Sequence, residues 1–209
     1  NTGGPSERTE IMRKNGFFAM MTRMRNIARW GLMRNSIQEN LAEHSFDTAV
    51  TAHALALIGR EHFGRQVDPG KVAAAALFHD APEIITGDLP TPVKYNNPEI
   101  CSAYKSIEHA AADSLLRMLP EELRPHYRLL MTMEEQDPET YRYIKAADKI
   151  SAYIKCVEEL RSGNDEFRRA AEQTRKAIRA LELPEADLYM EQFAPAFALN
   201  LDELQEEQQ

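Results

Sequence analysis

Apolar residues in this chain recur at spacings of three and four almost from end to end, and nowhere do they alternate with period two. The first pattern is one face of an α-helix and the second would be a half-buried strand. No β-branched run flanks a hairpin turn, so nothing nucleates a sheet. The fold class this predicts is all-α, a single helical bundle.

The helix boundaries are marked by local signals. FFAMMTRMRNIARW reads as a first amphipathic helix ending near Gly31. NLAEHSFDTAVTAHALALI opens on Asn40 with Glu43 three residues on, the pattern of a capping box. VDPGKVAAAALFHDAPEII places Asp68 and Pro69 at a helix start, and Asp137-Pro138 open a long helix that stops at Gly163. A helix is expected from Glu99 to Leu119, and EELRPHYRLLMTMEEQ forms a shorter one broken near Pro125. GDLPTPVKYNNP is the longest interruption, of a length at which a loop is suspected of function.

A chain of 209 residues, 43% hydrophobic and 28% charged, can bury a core without disulfides or a structural metal. It has no apolar run near the roughly 20 residues of a membrane span, and no signal-peptide pattern. Cys101 and Cys156 do not suggest a disulfide framework, so a cytoplasmic location is expected. Residues 1–16 read as a disordered lead-in or a cloning remnant, 17–204 as the folded domain and 205–209 as a polar tail. The net charge of −8 argues against a nucleic-acid polymer as partner. Yet residues 1–34 carry Arg8, Arg13, Lys14, Arg23, Arg25, Arg29 and Arg34 against Glu7 and Glu10. A local basic patch of this kind suits a small phosphorylated ligand, the plain alternative being a solvated helix face.

The chemistry concentrates in LFHDAPEIITGDLPTPVKY, residues 77–95. His79 and Asp80 fall where an Ala-rich helix stops, partly buried, and buried ionisable groups are costly unless paired or bound to a cation. Imidazole and carboxylate together suit a divalent metal. Two ligands are too few. His44, in AEHSFD, and Asp148, an aspartate in mid-helix between Ala147 and Lys149, are the candidates for completing the set. His53, His62, His109 and His126 are assigned to core or surface roles. Glu83 lies on the same side as His79 and Asp80 if the helical turn continues, the alternative being an exposed helix-end glutamate. Pro90 and Pro92 fix φ and Gly87 permits unusual backbone angles, so the loop around Asp88 can be held in one shape.

The arrangement H…HD…D on successive helices resembles the HD-domain superfamily of metal-dependent phosphohydrolases. RW followed by LMRN, then ENLAEHS, LFHDAPEIITGDLPTPVKY and KAADKISAYIKCVEEL, resembles more closely the bacterial 5′-deoxynucleotidase family, over Phe17 to Leu204. The resemblance implies a single divalent metal held by His44, His79, Asp80 and Asp148, with Co²⁺ or Mn²⁺ expected first and Zn²⁺, Fe²⁺, Cu²⁺ or Mg²⁺ compatible. It implies catalytic roles for Glu83, Asp88 and Arg29, with water positioning and proton transfer not divided between the two carboxylates. Substrate contacts are implied for Arg29, Trp30, His44, Asp80, Asp88, Leu89, Pro90, Thr91 and Asp148, Arg29 orienting phosphate and Trp30 crowding the sugar 2′ position. The implied substrate is a deoxyribonucleoside 5′-monophosphate, and the implied assembly a homodimer. The alternatives are a phosphodiesterase acting on cyclic or dinucleotides, and a non-catalytic nucleotide-binding protein of the same fold.

Overall fold

The capping signals act where the sequence places them. In the computed structural model, which describes residues 15–94 and 96–206, the Asn40 side chain accepts from the backbone N–H of Ala42 and Glu43, while the Glu43 carboxylate accepts from Asn40 N. This capping box starts a helix over Leu41–Phe63, closed by Gly64 in the left-handed region. Asp68 caps the helix Pro69–Phe78, Asn97 caps Pro98–Leu116, and Asp137 caps Pro138–Arg161. In all three a proline occupies the first turn, where its missing N–H is not needed.

In chain order the helices are α1 (Phe17–Met21), α2 (Leu41–Phe63), α3 (Pro69–Phe78), α4 (Glu83–Thr86), α5 (Thr91–Lys94) and α6 (Pro98–Leu116). They continue with α7 (Arg124–Met131), α8 (Met133–Gln136), α9 (Pro138–Arg161), α10 (Arg168–Arg179), α11 (Pro184–Gln192) and α12 (Leu201–Glu206). Short 3₁₀ turns cover Thr22–Asn26, Asp165–Phe167 and Ala194–Ala198. Among the described residues there is no strand, so the all-α expectation holds. No helix among them is long and apolar enough to cross a membrane.

The centre is a three-helix contact of α9 with α2 and α3. Its facing residues are small: Ala49, Ala52 and Ala56 on α2, Ala75 and Ala76 on α3, Ala146 and Ala147 on α9. Interaxial distance follows side-chain size at the contact, so alanines bring the three axes close. That proximity lets one side chain from each helix reach a common point. A second cluster packs Phe17 and Ala81 against the end of α6, and a third sets Cys156, Phe167 and Ala171 beneath Trp30.

Three expectations are corrected. The first helix does not run to Gly31: α1 ends at Met21, the 3₁₀ turn at Asn26, and Ala28 pairs with Asn40 in an isolated antiparallel bridge. Arg29 N donates to Glu39 O and Leu41 N to Ile27 O, so this backbone pairs with the entry to α2 instead of with itself. Pro125 does not break a helix but sits in the first turn of α7. The long interruption carries a helical turn of its own, α5. Residues 1–14 of the expected lead-in, with Arg8, Arg13 and Lys14, and residues 207–209 of the expected tail lie outside the described residues.

Candidate active site

Each element delivers its side chain for a local reason. His44 lies one turn into α2, just past the capping box, and is fully buried. Its Nδ1 lies 3.2 Å from Ser151 Oγ on α9, which leaves Nε2 facing Asp148 Oδ1 at 3.1 Å and Asp80 Oδ2 at 3.7 Å. His79 follows the last residue of α3, and its Nδ1 is 2.7 Å from the Ala76 carbonyl, so Nδ1 carries the proton donated there. Its Nε2 is 3.2 Å from Asp80 Oδ2, yet it is buried and makes no hydrogen bond. The two Nε2 atoms thus converge on one carboxylate.

Ligand atoms of His44, His79 and Asp80 all lie within 4.8 Å of one another. Asp148 stands beside this triad through its 3.1 Å approach to His44 but falls outside the mutually close set. Two imidazole nitrogens and carboxylate oxygens form the donor set of a borderline divalent cation. The orphaned Nε2 of His79 is what such an ion satisfies, and the carbonyl behind its Nδ1 is the outer partner that orients a metal-bound imidazole. The residues fit a metal.

The protonation equilibria express the same concentration of charge. Burial alone would lower His79, but the Asp80 carboxylate raises it to about 9. Burial works against the ionised form of Asp148, but the hydrogen bond and charge of His44 hold it at about 2. Asp80 is held far below the usual carboxylate range by His79, His44 and Arg29 despite its burial. Glu83 goes the other way: burial first, then the charges of Asp80 and Asp88, push its carboxyl up to about 9. Desolvation together with flanking carboxylates is the environment in which functional sites displace a carboxyl.

Glu83 is only 5% exposed, which rules out the exposed helix-end reading. It sits with His79, Asp80 and Lys94 in a polar cavity of about 290 Å³ between α6 and α9. A second cavity, of about 600 Å³, is lined by Arg29, Trp30, Asp88, Leu89, Pro90, Thr91 and Asp148. His44 and Asp80 lie at the metal cluster and not in this larger cavity. Of the basic residues described before position 35, only Arg29 reaches the cluster, while Arg23, Arg25 and Arg34 are exposed. His53, His62, His109 and His126 are all exposed, as surface roles require.

Arg29 and Trp30 are joined by Glu39, a residue absent from the sequence candidates. Glu39 Oε2 accepts from Arg29 Nε at 3.2 Å and from Trp30 Nε1 at 2.7 Å. Arg29 Nη1 then lies 3.6 Å from Asp80 Oδ2 and 3.9 Å from Asp88 Oδ1. Trp30 has φ of 58°, an outlier for a bulky residue, and packs its ring on Phe167 at 5.3 Å between centroids. Strain of this kind persists only where its surroundings over-determine it. The one available signal was Glu39's place immediately before the Asn40 cap, which by itself says nothing of Arg29.

The helical fold that carries this cluster is the one seen in solved HD-domain phosphohydrolases. An HD-domain phosphohydrolase of Listeria innocua superimposes with a TM-score of 0.76 at 21% identity, over 90% of this chain and 91% of that one. A cyanophage S-2L HD phosphohydrolase, solved bound to dA and one catalytic Zn²⁺ ion, superimposes at 0.58 and 21% identity, over 85% and 95%. The sequence is more specific than the fold. The family model described as 5′-deoxynucleotidase YfbR-like matches residues 16–197. A 5′-deoxynucleotidase of Vibrio vulnificus is 46% identical over 193 residues, 92% of this chain and 100% of its own length. One of Yersinia pestis is 45% identical over 188 residues, 90% and 95%. The chain belongs to the YfbR-like 5′-deoxynucleotidase family.

Proposed function

We propose that the protein is a metal-dependent 5′-deoxynucleotidase that hydrolyses deoxyribonucleoside 5′-monophosphates to deoxyribonucleosides and phosphate. The observation that carries this reading, beside family membership, is the Arg29–Glu39–Trp30 unit set against the His44, His79 and Asp80 cluster. A guanidinium beside a metal site recognises a phosphate dianion, and an indole on the same backbone turn lies where a sugar joins it.

His44, His79, Asp80 and Asp148 would hold one divalent cation, which when bound supplies positive charge and Lewis acidity at the phosphoryl group. Arg29 neutralises phosphate charge as it redistributes in the transition state. The two cavities divide the remaining work. In-line displacement needs the attacking water opposite the leaving oxygen. The larger cavity, with Trp30 and Asp88 to Thr91, has room for a nucleoside, so the leaving oxygen faces that side. Glu83 lies in the smaller polar cavity with His79 and Asp80, where its carboxyl orients the attacking water through a hydrogen bond. Asp88, beside Arg29, is then the group that returns a proton to the leaving sugar oxygen. The raised Asp88 carboxyl, pushed up by burial against the pull of Arg29, supports the second role.

The domain that does this comprises residues 17–204. Co²⁺ or Mn²⁺ is the cation expected to support the highest rate, the active form is a homodimer, and the unpaired thiols of Cys101 and Cys156 suit a cytoplasmic enzyme. The test is phosphate release from paired deoxyribo- and ribonucleoside 5′-monophosphates after chelation and re-addition of single metals. Equal rates on both sugars, or activity indifferent to chelation, would sink the reading. Hydrolysis of cyclic nucleotides in place of monophosphates would favour a phosphodiesterase, and nucleotide binding without turnover a sensor.

A further inference from the structure

Three-quarters of the way along the chain, α9 carries a buried acid–base pair that the reaction does not use. Glu159 is 1% exposed, and its carboxylate accepts five hydrogen bonds from four groups. They are Ser36 N at 2.9 Å, Ile37 N at 3.2 Å, Asn164 Nδ2 at 2.8 Å, Lys155 Nζ at 2.5 Å and, through its other oxygen, Ser36 N again at 3.1 Å. Lys155 also donates to the Ile37 carbonyl, and Asn164 to the Arg34 carbonyl at 2.7 Å. Everything tied down here belongs to the segment 34–37, the far end of the loop that begins at Arg29 and Trp30 and returns at Glu39.

Desolvation offsets much of the attraction within a buried ion pair. What the pair supplies is directional: backbone N–H groups of Ser36 and Ile37 are fixed to a helix that elsewhere carries Asp148. The same assembly reaches Trp30 by two further contacts. Asn35 Nδ2 donates to the carbonyls of Trp30 and Met33, at 3.3 and 3.0 Å. Phe167, which carries the Trp30 ring, lies under Lys155 Nζ at 5.8 Å. The loop has no helix or sheet of its own, beyond one bridge at its base, to hold Trp30 at φ 58°.

We infer that Glu159, with Lys155 and Asn164, is a positioning device for sugar discrimination: it fixes the 29–39 loop against α9 so that the Trp30 indole stands at a set distance from the ligand cluster. This rests on the deoxynucleotidase reading and names the residues that set its selectivity from outside the cavity. No lining residue of the larger cavity belongs to the trio. Loosening the loop lets the indole retreat, which relieves a ribose 2′-hydroxyl more than it harms a deoxyribose.

The experiment compares the full-length wild type with Glu159→Gln and Asn164→Ala, measuring kcat/KM for dAMP and AMP, Co²⁺ affinity by calorimetry, and thermal unfolding. In Glu159→Gln the dAMP-to-AMP ratio is expected to fall about tenfold, the weight of one charge-assisted hydrogen bond network on a differential contact. Asn164→Ala should move the ratio the same way by a few fold, with Co²⁺ affinity unchanged in both. A merely structural role would lower both sugars by one factor; that result, or an unchanged ratio, overturns the inference. Should Glu159→Gln fail to fold, Asn164→Ala decides, and an unchanged ratio there overturns it too. A wild type that does not prefer dAMP removes the deoxynucleotidase reading itself, and the inference with it. A wild type that prefers dAMP beside variants that keep the preference removes the inference alone.

Discussion

Replacing Glu39 by glutamine keeps the volume and an acceptor oxygen but deletes the charge that unites Arg29 and Trp30. Two hydrogen bonds change, at 3.2 Å from Arg29 Nε and 2.7 Å from Trp30 Nε1, with both the Arg29 and Glu39 side chains about 10% exposed. Hydrogen bonds to a charged partner contribute about 1.5–3 kcal/mol and neutral ones about 0.5–1.5, so each loses about 1–1.5 kcal/mol. Arg29 keeps Asp80 at 3.6 Å and Asp88 at 3.9 Å, which limits its drift, whereas Trp30 has no other partner for its indole N–H among the hydrogen bonds described. The combined loss is about 2–3 kcal/mol. Expressed in stability it lowers Tm by roughly 4–12 °C for a chain of this size. Expressed in transition-state binding it lowers kcat/KM for dAMP by roughly 30- to 150-fold. Differential scanning calorimetry and steady-state phosphate release divide the loss between the two. A Glu39→Gln variant that melts with the wild type and turns over dAMP at the wild-type rate would refute the linkage of Arg29 and Trp30 through this carboxylate.

Phe167 is fully buried between Trp30 and α9, so Phe167→Ala leaves a cavity worth about 3–5 kcal/mol; urea titration checks the size, and a change under 1 kcal/mol refutes it. Glu159 also predicts an acid limit. Burial works against its ionised form, but the hydrogen bonds from Lys155, Asn164, Ser36 and Ile37 lower it from 4.5 to about 2. Its contribution, about 2–3 kcal/mol, is complete above pH 4.5 and is lost as pH falls towards 2. Melting curves from pH 6 to pH 3 should therefore be steeper in pH for the wild type than for Glu159→Gln, and parallel curves would count against the assignment. Asp137 caps α9 through Thr140 N and pairs with Lys71 Nζ at 2.6 Å across to α3; with the partly exposed pair discounted for solvent, Asp137→Ala costs about 1–2 kcal/mol by denaturant midpoint.

Much of this molecule is local, and the local part is legible in sequence. Asn40 with Glu43, Asp68 with Pro69 and Asp137 with Pro138 mark helix starts because a cap satisfies N–H groups two or three residues away. His79-Asp80 at the end of an alanine helix announces a metal site because both ligands and the burial around them lie within one turn. His44 and Asp148 are legible only as candidates, and it is the family resemblance that implies they complete the ligand set and that the loop after Gly87 contacts substrate. The end of the first helix is not legible, because hydrophobic spacing cannot reveal that Ile27 and Ala28 pair with residues 40 and 41.

What the sequence determined by itself, then, is the all-α class, most helix starts, and the residue types that could bind a cation. Only the tertiary structure decided that Glu83 is buried beside His79 and Asp80, that Trp30 lines a separate cavity, and that Glu39 bonds Arg29 and Trp30 while Glu159 bonds Ser36 and Ile37. The reason is distance along the chain. Glu159 meets Ser36 across 123 residues, and Ser151 meets His44 across 107. No spacing rule spans such separations. They are set where alanines allow α2, α3 and α9 to close on one another, and the loop geometry follows from that packing.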